Sequence, residues 1–107
     1  ILRLKERKTE TGQLRVKIKD EDGKLIEEVN FEVTLRDRDG LAVQTKYSGY
    51  YGEVIFRDVL PGVYSVSVSE NRGDYAIATE SGISVNANET ESVNIVVSLE
   101  EVYVQHY

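Results

Sequence analysis

The sequence predicts an all-β domain, a sandwich or a barrel. Three observations carry this. Apolar and polar residues alternate with period two along most of the chain, as in strands that bury one face. Gly, Asp, Asn and Pro clusters interrupt the alternation about every 8–12 residues. No stretch of helical length repeats its apolar residues at helical spacing.

The elements follow in order. "LRVKIK" (residues 14–19) sets Leu14, Val16 and Ile18 on one face and Arg15, Lys17 and Lys19 on the other. "DEDG" then supplies a turn, because Asp caps local amides and Gly accepts positive φ. "VNFEVTLRD" alternates again, with Val29, Phe31, Val33 and Leu35 inward, and "RDG" closes it. "LAVQTKY" is a third strand, with Leu41, Val43, Thr45 and Tyr47 sharing a face. "SGYYG" breaks the pattern, and "EVIFRDV" resumes it with Val54 and Phe56 inward. "LPG" is a turn whose proline fixes the first corner. "VYSVSVS" points Tyr64, Val66 and Val68 inward against serines. Weaker segments near residues 75–79 and 82–86 precede the last clear strand, "ESVNIVVSL". "VYVQHY" also favours strand. The expected organisation is a lead-in segment over 1–12, a β domain over 13–99, and a C-terminal strand extension or linker over 100–107.

Composition narrows the function. The 107 residues fit one domain able to bury a real core, and 40% hydrophobic with 30% charged is globular usage. There is no cysteine, which excludes disulfides and thiol chemistry. No apolar run is long enough to span a bilayer, and no signal peptide is visible. The chain begins at Ile1 rather than Met and is expected to be a piece of something longer. The net charge of −6 is uneven: residues 1–72 carry all 13 Lys and Arg against 13 acids, and residues 73–107 carry six acids and no base. That acidic final third opposes binding to nucleic acid or to an anionic membrane. The basic "RLKERK" at residues 3–8 is diluted by Glu6 and Glu10 and reads as a solvated lead-in.

One stretch carries a family pattern. "GEVIFRDVLPGVYSVSV" (residues 52–68) reads as Gly, three residues, Phe, two residues, an aliphatic, one residue, then Pro-Gly-x-Tyr. This resembles the B-type repeat domains of Gram-positive collagen adhesins and pilins, the Cna-B-like domains. Upstream, "KDEDGKLIEEVNFEVTLRDRDG" is similar to their first hairpin, and downstream Tyr75 falls where they often place a Gly-Tyr, here without the loop's Pro. The resemblance covers about residues 14–99. It implies a seven-stranded Greek-key β-sandwich of prealbumin-like type, Ig-like in broad architecture. It also implies a cell-surface setting on an exported protein, and a test. Many members form an isopeptide bond between a first-strand Lys and a last-strand Asn or Asp, assisted by a Glu on the strand after Pro-Gly-x-Tyr. That chemistry needs a buried, uncharged lysine and a protonated acid. The family lysine position falls on Ile18 and the Glu position on Val68. Lys17 and Lys19 have the wrong parity, and the last strand ends without Asn or Asp, Asn94 lying near its start. The resemblance therefore implies the fold without the bond, with aliphatics in the place of a buried polar cluster, an exchange that is often neutral or stabilising.

The remaining candidates favour plain readings. Asp20, Glu21 and Asp22, or Asp37 and Asp39, could meet calcium, but neither stretch has the full ligand loop, and each sits where a hairpin turn belongs. Tyr47, Tyr50 and Tyr51 are the best ligand-contact candidates, since each offers an apolar face and a hydroxyl to a glycan or a protein; packing over the end of the domain is the favoured alternative. His106 stands alone near the end. Ser65, Ser67 and Ser69 alternate on a strand with no base nearby. "NET" at 88–90 matches a glycosylation sequon of little weight in a bacterium, and "GYYG" lacks the helix of a phosphate loop. No nucleophile–base or metal constellation, and no cofactor site, is present. The sequence thus points to a non-catalytic stalk, spacer or adhesion module of a secreted, cell-wall-associated bacterial surface protein or pilus. Its expected partners are neighbouring domains of the same polypeptide, with a host protein or glycan as a further contact. A ligand-binding accessory module of a secreted enzyme or transporter is the alternative.

Overall fold

A computed structural model describes residues 10–99. "RLKERK", "VYVQHY" and His106 lie outside the described residues, as do most of the lead-in and the whole 100–107 extension. Seven strands form two sheets, and the described residues hold no helix. The strands are β1 (Gly12–Lys19), β2 (Glu32–Arg36), β3 (Ala42–Tyr47), β4 (Glu53–Val59), β5 (Gly62–Ser69), β6 (Ala78–Val85) and β7 (Thr90–Val96). One sheet has the order β4-β1-β7 and the other β3-β2-β5-β6. The fold is an all-β sandwich.

Alternation decides which faces meet. Leu14, Val16 and Ile18 of β1 are fully buried and oppose Phe31, Val33 and Leu35 at β2 and Val66 and Val68 of β5 in one continuous core. Ile95 and Val97 complete it from β7 and its exit. β-branched residues dominate because they fill a pleated, half-buried surface with little loss of rotamer freedom. β1 lies in the middle of its sheet, antiparallel to β4 and parallel to β7. Its pairing with β4 slips between Gly12 and Leu14, where Asp58 adopts φ 56°. This bulge returns Val59 to the core after Phe56 has already entered it.

Two strands differ from expectation. Residues 75–79 and 82–86 do not make two weak segments: Ala78–Val85 is one strand, with its ladder to β5 shifting between Tyr64 and Val66 and Gly82 at φ 70°. β6 is an edge strand in which Ile83 and Val85 are buried in the core and Ala78 packs against its margin, so its first half carries little apolar pattern. In β3, Thr45 and Tyr47 share a face, but the ladder to β2 slips between Leu35 and Arg36, so Leu41 does not continue it, and Leu41, Val43, Thr45 and Tyr47 are all exposed. The opposite side carries Gln44 and Lys46. Gln44 Nε2 donates to the Arg57 carbonyl (2.9 Å) and Lys46 Nζ to the Ile55 carbonyl (2.7 Å). β3 and β4 are edges of opposite sheets. Polar side chains from one therefore cover the free carbonyls of the other, which blunts an edge open to unwanted pairing.

Glycine is required at two close approaches. A Cβ on Gly12 would collide with the Asn86 carbonyl oxygen, where β1 begins against the β6–β7 turn. Gly52, at φ +66°, would place one 2.9 Å from the Ile26 carbonyl oxygen. Its own carbonyl accepts from the Ile18 amide at 2.8 Å.

Candidate functional site

The acidic turns are built as turns. Asp20 Oδ1 accepts from the Asp22 and Lys24 amides, each at 2.9 Å. Asp37 Oδ1 does the same for Asp39 (2.9 Å) and Leu41 (3.0 Å). "ENRG" at 70–73 repeats the device with a longer acid, Glu70 accepting from the amides of Arg72, Asp74 and Tyr75. Gly23, Gly40 and Gly73 supply the left-handed corner at φ 83°, 82° and 74°. Partial desolvation pushes the Glu70 carboxyl up, but these amides and the Arg72 guanidinium outweigh it and hold the group below the usual glutamate value. Among the described residues, no three or more His, Cys, Asp and Glu side chains gather closely enough to hold a metal ion.

The positions that the resemblance assigns to a cross-link lie in the core. Ile18 and Val68 are both 0% exposed, and Ile95 and Val97 bury beside them. The register also brings together a row that sequence spacing hides. Lys17 pairs with Glu53 on β4 and with Asn94 on β7, so a Lys, a Glu and an Asn lie abreast on the outer face of the three-stranded sheet. Asn94 is exposed and Lys17 and Glu53 are half-buried, so the row lacks the apolar shell that amide formation by lysine demands. Glu53 instead pairs with Arg15, at 2.9 Å. At such exposure the ion pair contributes no more than about 0.2–1 kcal/mol.

The tyrosines do not pack over the end of the sandwich. Tyr47, Tyr50 and Tyr51 are 59%, 72% and 78% exposed. The covering role over Phe31 belongs to Tyr75, whose ring stands edge-on at 5.3 Å between centroids. Tyr47 ends β3 on the outer sheet face, and Tyr50 and Tyr51 occupy the tight turn between β3 and β4. Two unforeseen polar residues fix this turn. Buried Ser48 accepts the Phe31 amide at its Oγ (2.9 Å), while its own amide donates to the Phe31 carbonyl (2.9 Å). Asn30 Oδ1 accepts from the Gly49 amide at 2.8 Å. Tyr50 then borders a cleft of about 180 Å³ with Glu28, Asn30, Asn71, Arg72 and Asp74. Its size suits a single small polar group, since drug-sized ligands need roughly 300 Å³ or more.

The Pro-Gly-x-Tyr motif has a structural role. Tyr64 folds back so that its hydroxyl donates to the Leu60 carbonyl at 2.5 Å, tying β5 to the turn before it. Burial, with a smaller push from Asp37, raises its phenol above the ordinary tyrosine value. Ser65, Ser67 and Ser69 lie on the outer face, where register places Thr45, Thr34, Ser67 and Thr79 in one row across the four strands. Thr34 and Thr45 hydroxyls approach to 3.5 Å, and this row is a strand-pairing feature.

The first and last described strands point the same way. β1 and β7 run parallel, Gln13 opposite Thr90 and Lys19 opposite Val96. The chain thus reaches β1 at one end of the sandwich and departs from β7 at the other.

The two-sheet sandwich is a fold found in solved proteins of the bacterial surface. Among solved structures, the chain is similar to GBS52, the minor pilin of Streptococcus agalactiae, with TM-score 0.67 and 14% identity, covering 92% of this chain and 48% of that one. It is similar to the Bacillus anthracis TIE protein, at TM-score 0.59 and 18% identity, over 82% of this chain and 16% of that one. A putative carbohydrate binding protein from Bacteroides uniformis gives TM-score 0.58 and 20% identity, over 79% of this chain and 40% of that one. The chain therefore spans about half or less of each of these proteins. No protein-family model and no curated protein matches the sequence.

Proposed function

We propose that this chain is a non-catalytic spacer or stalk module of a bacterial cell-surface protein or pilus, exported and facing the outside of the cell wall. The observation that carries the reading is the in-line path of the chain. Parallel terminal strands deliver the polypeptide to one end of a compact sandwich and release it from the other. Modules of this kind add length when strung together, whereas a domain with its ends side by side would not. The fold shared with the minor pilin supports this setting. Neighbouring domains of the same polypeptide are its immediate partners. The test is display of one, two or three copies between a wall anchor and a reporter epitope on a Gram-positive cell. Access of a large antibody to the epitope rises with copy number. Equal access at every copy number contradicts the reading.

A second reading has one observation of its own. Tyr50, exposed beside amide and guanidinium groups of the small cleft, offers a stacking face with hydrogen-bonding neighbours. On this reading the chain is an accessory module contacting a glycan or a host protein, and Tyr47 and Tyr51 flank the contact. Loss of binding in Tyr50→Ala plus Tyr51→Ala supports it, and no binding across a broad glycan screen removes its carbohydrate form.

A further inference from the structure

We propose that β1 and β7 form a shear clamp, a non-covalent device that carries tension along the chain and yields only above a threshold. The proposal rests on the spacer reading, since only a module pulled through both ends needs one. Tension on an in-line module draws β1 toward its N-terminal end and β7 toward its C-terminal end. The strands are parallel, so the pull runs along the ladder and loads all its hydrogen bonds together. An antiparallel hairpin pulled from its open end instead loses its bonds one at a time.

The clamp is continuous over seven register pairs, from Gln13–Thr90 to Lys19–Val96. Further bonds extend it at both ends. The Gln13 amide donates to the Glu89 carbonyl and the Asn88 amide to the Thr11 carbonyl, each at 2.9 Å. At the far end the Val97 amide donates to the Lys19 carbonyl (2.9 Å), and Ser98 Oγ pairs with Glu21 Oε1 (2.8 Å). The Ala76 amide also donates to the Ser98 carbonyl (2.9 Å), so the departing chain is held by the β5–β6 connection as well. Slippage is opposed by the core. Moving β7 past β1 by one residue would turn Val93, Ile95 and Val97 outward, and moving it by two would drag them past Val16 and Ile18. Aliphatics at Ile18 and Ile95 leave this ladder without a covalent tie, so the module extends once the clamp fails. Unravelling residues 12–97 releases on the order of 300 Å of chain.

Single-molecule force spectroscopy tests this on a tandem array of the 107-residue chain. Because the chain has no cysteine, Glu28→Cys and Tyr50→Cys together give a second pulling direction, which peels β3 from β2 at their common end. Pulling through the termini is expected to need several-fold more force than pulling through positions 28 and 50, and to release the domain in one step. The flanking bonds at Glu89 and Val97 fix the alternation, so odd-numbered amides of β7 face β1 and even-numbered ones face solvent. Glu91→Pro therefore lowers the terminal unfolding force, while Ser92→Pro leaves it unchanged, in variants shown to be folded by thermal melting. Should Glu91→Pro not fold, the two pulling directions without the proline, through the termini and through positions 28 and 50, decide. Equal forces in both directions, or release from the termini in several small steps, overturn the clamp. Either result leaves the copy-number outcome of the spacer reading untouched, so the two fail separately.

Discussion

Ser48 is the polar residue that secures the start of β2 to the end of β3. It is 2% exposed, and its hydroxyl is the acceptor for the buried Phe31 amide. Ser48→Ala strands that amide, at a cost of about 1–3 kcal/mol. The melting temperature is expected to fall by about 4–8 °C per kcal/mol for a domain of this size. A melt unchanged from the native protein would contradict the role. Gly52→Ala has a different cause. It sets a methyl against the Ile26 carbonyl while holding an L-residue at φ +66°, so a loss of roughly 1–3 kcal/mol is expected in a denaturant titration. Neither residue stands out in the sequence. Ser48 reads as part of a broken stretch, because its importance depends on a partner 17 residues away. Ile18 and Val68 were legible, because parity alone fixes which face they take.

At the scale of elements, the pattern of acid, two residues and glycine explains three turns, two of them built on Asp and one on Glu. "ENRG" is the least legible of the three in the sequence, because Glu is a weaker turn signal than Asp. Its longer side chain nevertheless reaches three amides. Glu70 titrates below the ordinary glutamate value of 4.5, so the order it gives the 70–75 loop is present above that value and lost as pH falls through the lower, folded one. An NMR titration should show the Arg72, Asp74 and Tyr75 amides moving together with a midpoint below 4.5, and Glu70→Gln should abolish the transition. A midpoint at or above 4.5 contradicts the capping role. Strands with one face in the core, β1, β2, β5 and β7, are readable because burial enforces alternation. β3 and β6 are edges with little to bury, so composition reports neither the extent of β6 nor the solvent-facing side of β3. The Gln44 and Lys46 bridges to β4 belong to the same blind spot, since long polar side chains reach between sheets without leaving a periodic trace.

The whole molecule is a sandwich whose stability rests on packing and on backbone ladders. Its β-sandwich fold was legible from the order of its turns and the Pro-Gly-x-Tyr motif, which the Tyr64 hydroxyl turns into a fastening for β5. The cleft beside Tyr50 was not legible, because it gathers residues from three separate connections. The positions that the resemblance assigns to a cross-link fall in the apolar layer of Ile18, Val68, Ile95 and Val97. A buried lysine, an acid and an amide would pull that layer apart unless all three were satisfied together. Here the layer closes without them, and the Lys17–Glu53–Asn94 row stays on the wet face. Intact mass spectrometry of the folded protein tests this most directly. The mass should equal the sum of the residues plus one water. A deficit of one ammonia or one further water would show that a covalent bond ties the strands, and that the sandwich is not held by packing alone.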